Sequence, residues 1–168
     1  MAAVISTVFR LEDSPPREIA LHDSDGDPLG GVAVLRLLPR ALSERLIRPA
    51  MQKSRGKDID QAEEAISRWM REHTAKALVD TKGLMAIFED PDSVDAYSSF
   101  FPGLKAGEAV SLNGKWSEEF KARFFQDHPE VVLMLVDAYK RLAKVGTEER
   151  LEDDEKKEPI WPAGSPDA

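Results

Sequence analysis

At Pro39 the spacing of apolar residues changes from every second position to every third or fourth, so the chain joins a β-rich beginning to a helical remainder. Before that point, Val4-Ile5-Ser6-Thr7-Val8-Phe9-Arg10-Leu11 is rich in β-branched residues. Pro15-Pro16 interrupts it, and Glu18-Ile19-Ala20-Leu21-His22 then places Ile19 and Leu21 on one face. Asp23-Ser24-Asp25-Gly26-Asp27-Pro28 carries the Asp-Gly chemistry of a tight hairpin, because glycine accepts the positive φ that such a turn requires. Val32 to Leu38 reads as a third strand. A small antiparallel meander is the simplest assembly of the three.

After Pro39 the pattern predicts helices. Leu42, Leu46 and Ile47 share a face of a helix beginning near Arg40, and Pro49 is expected to end or kink it. Lys53 to Lys57 reads as a loop, with Asp58 or Asp60 capping a helix that carries Ala62, Ile66, Trp69, His73 and Ala77 and runs to about Val79. Pro91, Pro102 and several glycines cut the next stretch into pieces: a short helix capped by Asp92-Ser93, and a short extended segment over Ala109 to Gly114. Ser117 opens a helix with Phe120, Phe124 and Phe125 on its apolar side, broken at His128-Pro129. Pro129 opens the last one, whose stripe is Val131, Val132, Leu135, Ala138, Tyr139 and Leu142, with Gly146 as its expected stop.

The expected fold class is therefore α+β, mostly α: a small N-terminal antiparallel β meander followed by a helical domain. Residues 1–146 form one globular domain in this reading, β-rich over 1–38 and helical over 39–146. Residues 147–168 are expected to be an acidic, proline-containing flexible tail. Charge supports that division. The chain carries −8, and Thr147 to Ala168 supplies −5 of it with eight acids and three bases, leaving −3 for the remaining 146 residues. A net negative chain argues against a nucleic-acid surface, which needs clustered Lys and Arg. No apolar run approaches the ~20 residues needed to cross a bilayer. Met1 to Arg10 lack the order of a signal peptide, and there is no cysteine, so a cytoplasmic protein is expected.

Chemistry-bearing motifs are scarce. A calcium loop at Asp23 to Asp27 fails on spacing: its glycine comes fourth where an EF-hand needs it sixth, and the twelfth residue from Asp23 is Val34 rather than Glu. His22, His73 and His128 are too widely spaced for a local metal motif. His73 reads as a core or boundary residue and His128 as part of a turn. No catalytic residue, metal ligand or cofactor site is expected, and the chain does not read as an enzyme. Two stretches suit partner binding instead. Tyr97, Phe100, Phe101 and Leu104 sit beside a Gly-rich loop where aromatic side chains could be exposed. Arg40, Arg45 and Arg48 lead a basic run through Lys57 with Glu44 as its one acid, readable as a solvated face or as a dock for an acidic partner or the chain's own tail.

The order of segments carries a resemblance. Val34-Leu35-Arg36-Leu37-Leu38-Pro39 comes first, then Ala77-Leu78-Val79-Asp80-Thr81-Lys82-Gly83-Leu84. Asn113-Gly114-Lys115-Trp116 through Phe125 follows, and finally His128-Pro129-Glu130-Val131-Val132 to Tyr139-Lys140-Arg141-Leu142. Over roughly residues 8–145 this arrangement resembles the tail assembly chaperones of long-tailed bacteriophages. The resemblance implies a non-catalytic protein that binds the tape measure protein, keeps its hydrophobic helices soluble and helps to recruit tail tube subunits. It implies action in the cytoplasm of the bacterial host, absence from the finished virion, and in many members a longer frameshifted form. It leaves homo-oligomerisation open and transfers no residue roles. Two alternatives remain: an acidic phage protein that inhibits a host factor, or a small structural head–tail connector. A charge mimic of DNA should carry its acids on the folded body, and mass spectrometry of particles would reveal a connector.

Overall fold

The computed structural model describes residues 15–156. β1 (Arg17–His22) and β2 (Pro28–Leu35) form the hairpin that the Asp-Gly turn implies. Gly26 takes φ +85°, and the Asp23 carboxylate accepts from the N–H groups of Asp25 and Asp27, both at 2.9 Å. The strand expected over Val4 to Leu11 lies outside the described residues. Among the described residues the sheet is antiparallel in the order β1-β2-β3, and its member on the far edge of β2 is β3 (Leu78–Lys82), from beyond the expected β-rich start. It arrives only after two helices, and it closes an edge that β2 would otherwise leave open.

Those helices are α1 (Arg40–Ser54) and α2 (Ile59–Ala77), packed as a hairpin. Asp58 caps α2 by accepting from Gln61 N–H at 3.2 Å. Pro49 does not end α1, which runs on to Ser54. Arg45 and Pro49 both lie on the exposed side, so the carbonyl that proline leaves without an N–H donor is open to solvent. α2 ends at Ala77, short of Val79, because the chain turns extended at Leu78 and enters β3 directly.

β4 (Met85–Ile87) and β5 (Ala109–Ser111) make a separate two-stranded ribbon around α3 (Pro91–Tyr97). The α3 cap is Asp90, accepting from Asp92 N–H, rather than the Asp92-Ser93 pair. α4 (Glu118–Asp127) is capped by Ser117, and α5 (Pro129–Lys156) follows a one-residue break at His128. α5 passes through Gly146, so the expected stop there is corrected. One glycine in a helix costs only about 1 kcal/mol. Glu148 to Glu155 holds good helix formers, Glu152 and Lys156 stand four apart with the acid first, and the next helix breaker is Pro159. The remainder of the expected tail, including Ile160-Trp161, lies outside the described residues.

The fold is α+β and mostly helical. Its core gathers on Phe120, whose ring lies within 5.1–6.0 Å of the rings of Tyr97, Phe100, Phe101, Trp116 and Phe124. Burying each such side chain contributes roughly 1.5–3 kcal/mol. Trp116 Nε1–H donates to the buried Thr81 hydroxyl at 2.8 Å, tying the aromatic cluster to β3. The α5 stripe Val132, Leu135, Ala138 and Leu142 is buried. Among the described residues, no helix is long and apolar enough to cross a membrane.

Candidate binding grooves

Of the seven residues that the sequence offers for partner binding, the structure uses two as core. Tyr97 and Phe101 are buried, at 2% and 5% exposure. The Tyr97 hydroxyl donates to the Asp127 carboxylate at 2.6 Å, and burial together with that carboxylate holds the phenol well above its usual range. Phe101 lies 5.9 Å from the Phe88 ring, and Lys115 Nζ stands 5.5 Å from its centroid. Phe100 and Leu104 are half-buried against the same cluster. Tyr97 to Leu104 is thus the cover of the aromatic core rather than an exposed patch. The reason is local: the chain turns at Phe100 to Gly103, with Phe100 and Phe101 N–H both bonded to the Tyr97 carbonyl, and this folds the two rings inward. Phe120 and Phe124, the apolar side of α4, are likewise core.

Arg40, Arg45 and Arg48 lie elsewhere, on the exposed side of α1, which packs extensively only on α2. Arg40 pairs with Glu44 at 2.7 Å, and both side chains are largely in solvent, so the pair contributes little. The structure therefore does not join the aromatic and basic candidates into one surface.

Two grooves meet at the α4–α5 corner among the described residues, and neither was read from the sequence. One, of about 330 Å³, runs between α2 and that corner. Met70, Phe125 and Val132 line it apolarly, Leu133 stands at its edge with 57% exposure, and Glu64 and Arg71 form a 3.5 Å ion pair beside it. α2 supplies this wall because Glu64, Ser67 and Arg71 recur every three or four residues on one side of the helix. Further along α2, His73 meets the Tyr139 ring of α5 edge-on at 4.5 Å, with Trp69 5.9 Å from His73. The signal in the sequence was Leu133: it falls off the buried α5 stripe, leaving an apolar residue with no place in the core.

The second groove, about 210 Å³, lies between the β4–β5 ribbon and the same corner, with Leu84, Phe88, Phe124 and Val131 among its lining. β4 alternates: Leu84, Ala86 and Phe88 turn towards the core, whereas Met85 and Ile87 are 53% and 56% exposed. This alternation over three residues is too short to stand out in the sequence. Among the described residues, no three metal-ligating side chains gather at either groove.

Comparison with protein-family models, with curated proteins and with solved structures gives no match.

Proposed function

We propose that the chain is a non-catalytic client-binding protein of the chaperone kind. Its client is an amphipathic helix laid into the groove between α2 and the α4–α5 corner. The observation that carries this reading is the groove itself: an apolar floor of Met70, Phe125 and Val132 beside an exposed Leu133, with a charged pair at the margin to fix orientation. Helix-in-groove recognition takes its affinity from such apolar anchors.

The particular reading follows from the resemblance in segment order. The chain acts as a tail assembly chaperone of a long-tailed phage, binds the tape measure protein, helps to recruit tail tube subunits, works in the host cytoplasm and leaves before the virion is complete. Co-expression with a tape measure client tests it. The client should be insoluble alone and soluble with this chain, and Leu133→Asp should abolish the rescue with little change in the chain's own melting temperature. A client whose solubility ignores the wild-type chain ends the reading. Rescue that survives Leu133→Asp moves the client to another surface.

A further inference from the structure

Positive charge on this acidic chain is concentrated in one place. From Arg40 to Lys57 there are six bases and one acid, a net +5 on a chain of −8. Arg45, Arg48, Lys53, Arg55 and Lys57 are all exposed, and none has an acidic partner among the described residues. Arg45, Arg48, Gln52 and Arg55 recur at three, four and three residues, a single stripe along α1 that leads to the tip of the hairpin. Beside that tip two apolar side chains, Met51 and Ile59, are 48% and 72% exposed, with Asp58 and Asp60 flanking Ile59.

The opposite charge leaves from the other end of the molecule. Pro129, Val132 and Leu133 lie against Glu64 to Arg71, and Tyr139 lies against His73. Progress along α5 thus follows α2 towards its C-terminal end, away from the Arg55–Asp58 tip. Arg141 Nη2 donates to the Ala20 carbonyl of β1 at 2.8 Å, and α5 then continues as helix to Lys156. At 1.5 Å per residue, Glu148 to Glu155 stand about 13–24 Å further along the helix axis than Tyr139. Glu148, Glu149, Glu152, Asp153, Asp154 and Glu155 fall within those two turns, and Ile160-Trp161 comes after them. An acidic run followed by an apolar pair matches, in charge and in order, a basic stripe followed by Met51 and Ile59. A helix that continues in this direction leads away from the Arg45–Arg55 stripe of its own α1.

We propose that the basic stripe of α1 is the docking surface for the acidic C-terminal segment, Glu148 to Trp161, of a second copy of this chain. The contact is head-to-tail, so each added copy leaves one free stripe and one free acidic segment, and assembly grows with concentration. Charge pairing sets the direction and the apolar ends close the contact. This inference is independent of the proposed client groove, because none of its residues lines that groove.

Sedimentation of the full chain over a concentration series tests it. At about 0.05 M salt the average mass should rise with concentration, and at about 1 M, where the screening length falls to about 3 Å, it should fall back towards one protomer. Arg45→Glu with Arg48→Glu and Arg55→Glu should weaken association by roughly tenfold or more at an unchanged melting temperature. Glu148→Lys with Glu152→Lys and Glu155→Lys should do the same, and a chain carrying all six reversals should regain salt-sensitive association. Carboxylate-to-lysine cross-linking of a mixture of isotope-labelled and unlabelled chains should join Lys53 or Lys57 to Glu148–Glu155 between different copies. A single protomer at every low-salt concentration overturns the proposal. So do association indifferent to the α1 reversal, failure of the sixfold reversal to restore it, and cross-links confined within one copy. The salt series and the cross-links use the unaltered chain, so the test stands even if a reversal variant does not fold.

Discussion

Lys121 lies at 5% exposure on α4, and its ammonium donates to the carbonyls of Ala75 at 2.9 Å and Leu78 at 2.6 Å, with Glu118 at 3.5 Å. Those carbonyls lie at the junction of α2 and β3, past which no further turn of helix supplies N–H donors and where a cation is favoured. Lys121→Met keeps the stem and removes the donors. It should lower stability by about 1–3 kcal/mol in urea unfolding, the cost of leaving buried carbonyls without partners. His73 makes a second prediction at this scale. Burial between Trp69 and Tyr139 lowers its pKa from the ordinary 6.5, so protonation favours the unfolded chain. Its share of stability is complete above pH 6.5 and is lost as pH falls below that value towards the folded-state pKa. The stability difference between wild type and His73→Leu should shrink in wild type's disfavour from about pH 7 to about pH 5. A difference that stays constant would mean that the imidazole protonates as freely in the fold as outside it.

α5 separates core from surface within one turn. Leu135 is 1% exposed and Leu133 is 57% exposed. Leu135→Asp should abolish cooperative melting, because an unpaired buried carboxylate costs several kcal/mol, comparable with much of a domain's stability. Leu133→Asp should melt within a few degrees of wild type. The turn after α3 gives a parallel case. Phe101→Asp, which an exposed aromatic patch would tolerate, should instead lose roughly 3–5 kcal/mol or fail to fold, since the ring is held between Phe88, Phe120 and Lys115. Equilibrium denaturation of these variants checks all three, and a stable Phe101→Asp chain would show that the ring is not packed in solution.

At the scale of the whole molecule, the body between Pro15 and Leu142 is held by contacts remote in sequence. Tyr139 accepts from Leu38 N–H at 2.9 Å, Arg141 reaches Ala20, and Trp116 reaches Thr81. The last buried residue described on α5 is Leu142. A chain ending at Gly146 should therefore keep its melting temperature within a few degrees of the full chain. A large drop would show that the acidic segment packs on its own body, against the head-to-tail contact.

Local chemistry by itself determined the elements that depend on neighbours in sequence. Asp-Gly made the β1–β2 hairpin, Asp58 and Ser117 opened α2 and α4, His128-Pro129 separated α4 from α5, and the three-to-four spacing of Val132, Leu135, Ala138 and Leu142 marked the buried side of α5. Tertiary structure alone decided the rest. β3 is a strand because β2 offers it an edge, and no pattern in Leu78 to Lys82 outweighs the helix just before it. Phe101 is core and Leu133 is surface because burial depends on what a side chain meets across the fold, and the five aromatics around Phe120 come from α3 and the turn after it, from the loop before α4 and from α4 itself. The groove between α2 and the α4–α5 corner has the same origin: its walls lie far apart in sequence and meet only when the core closes.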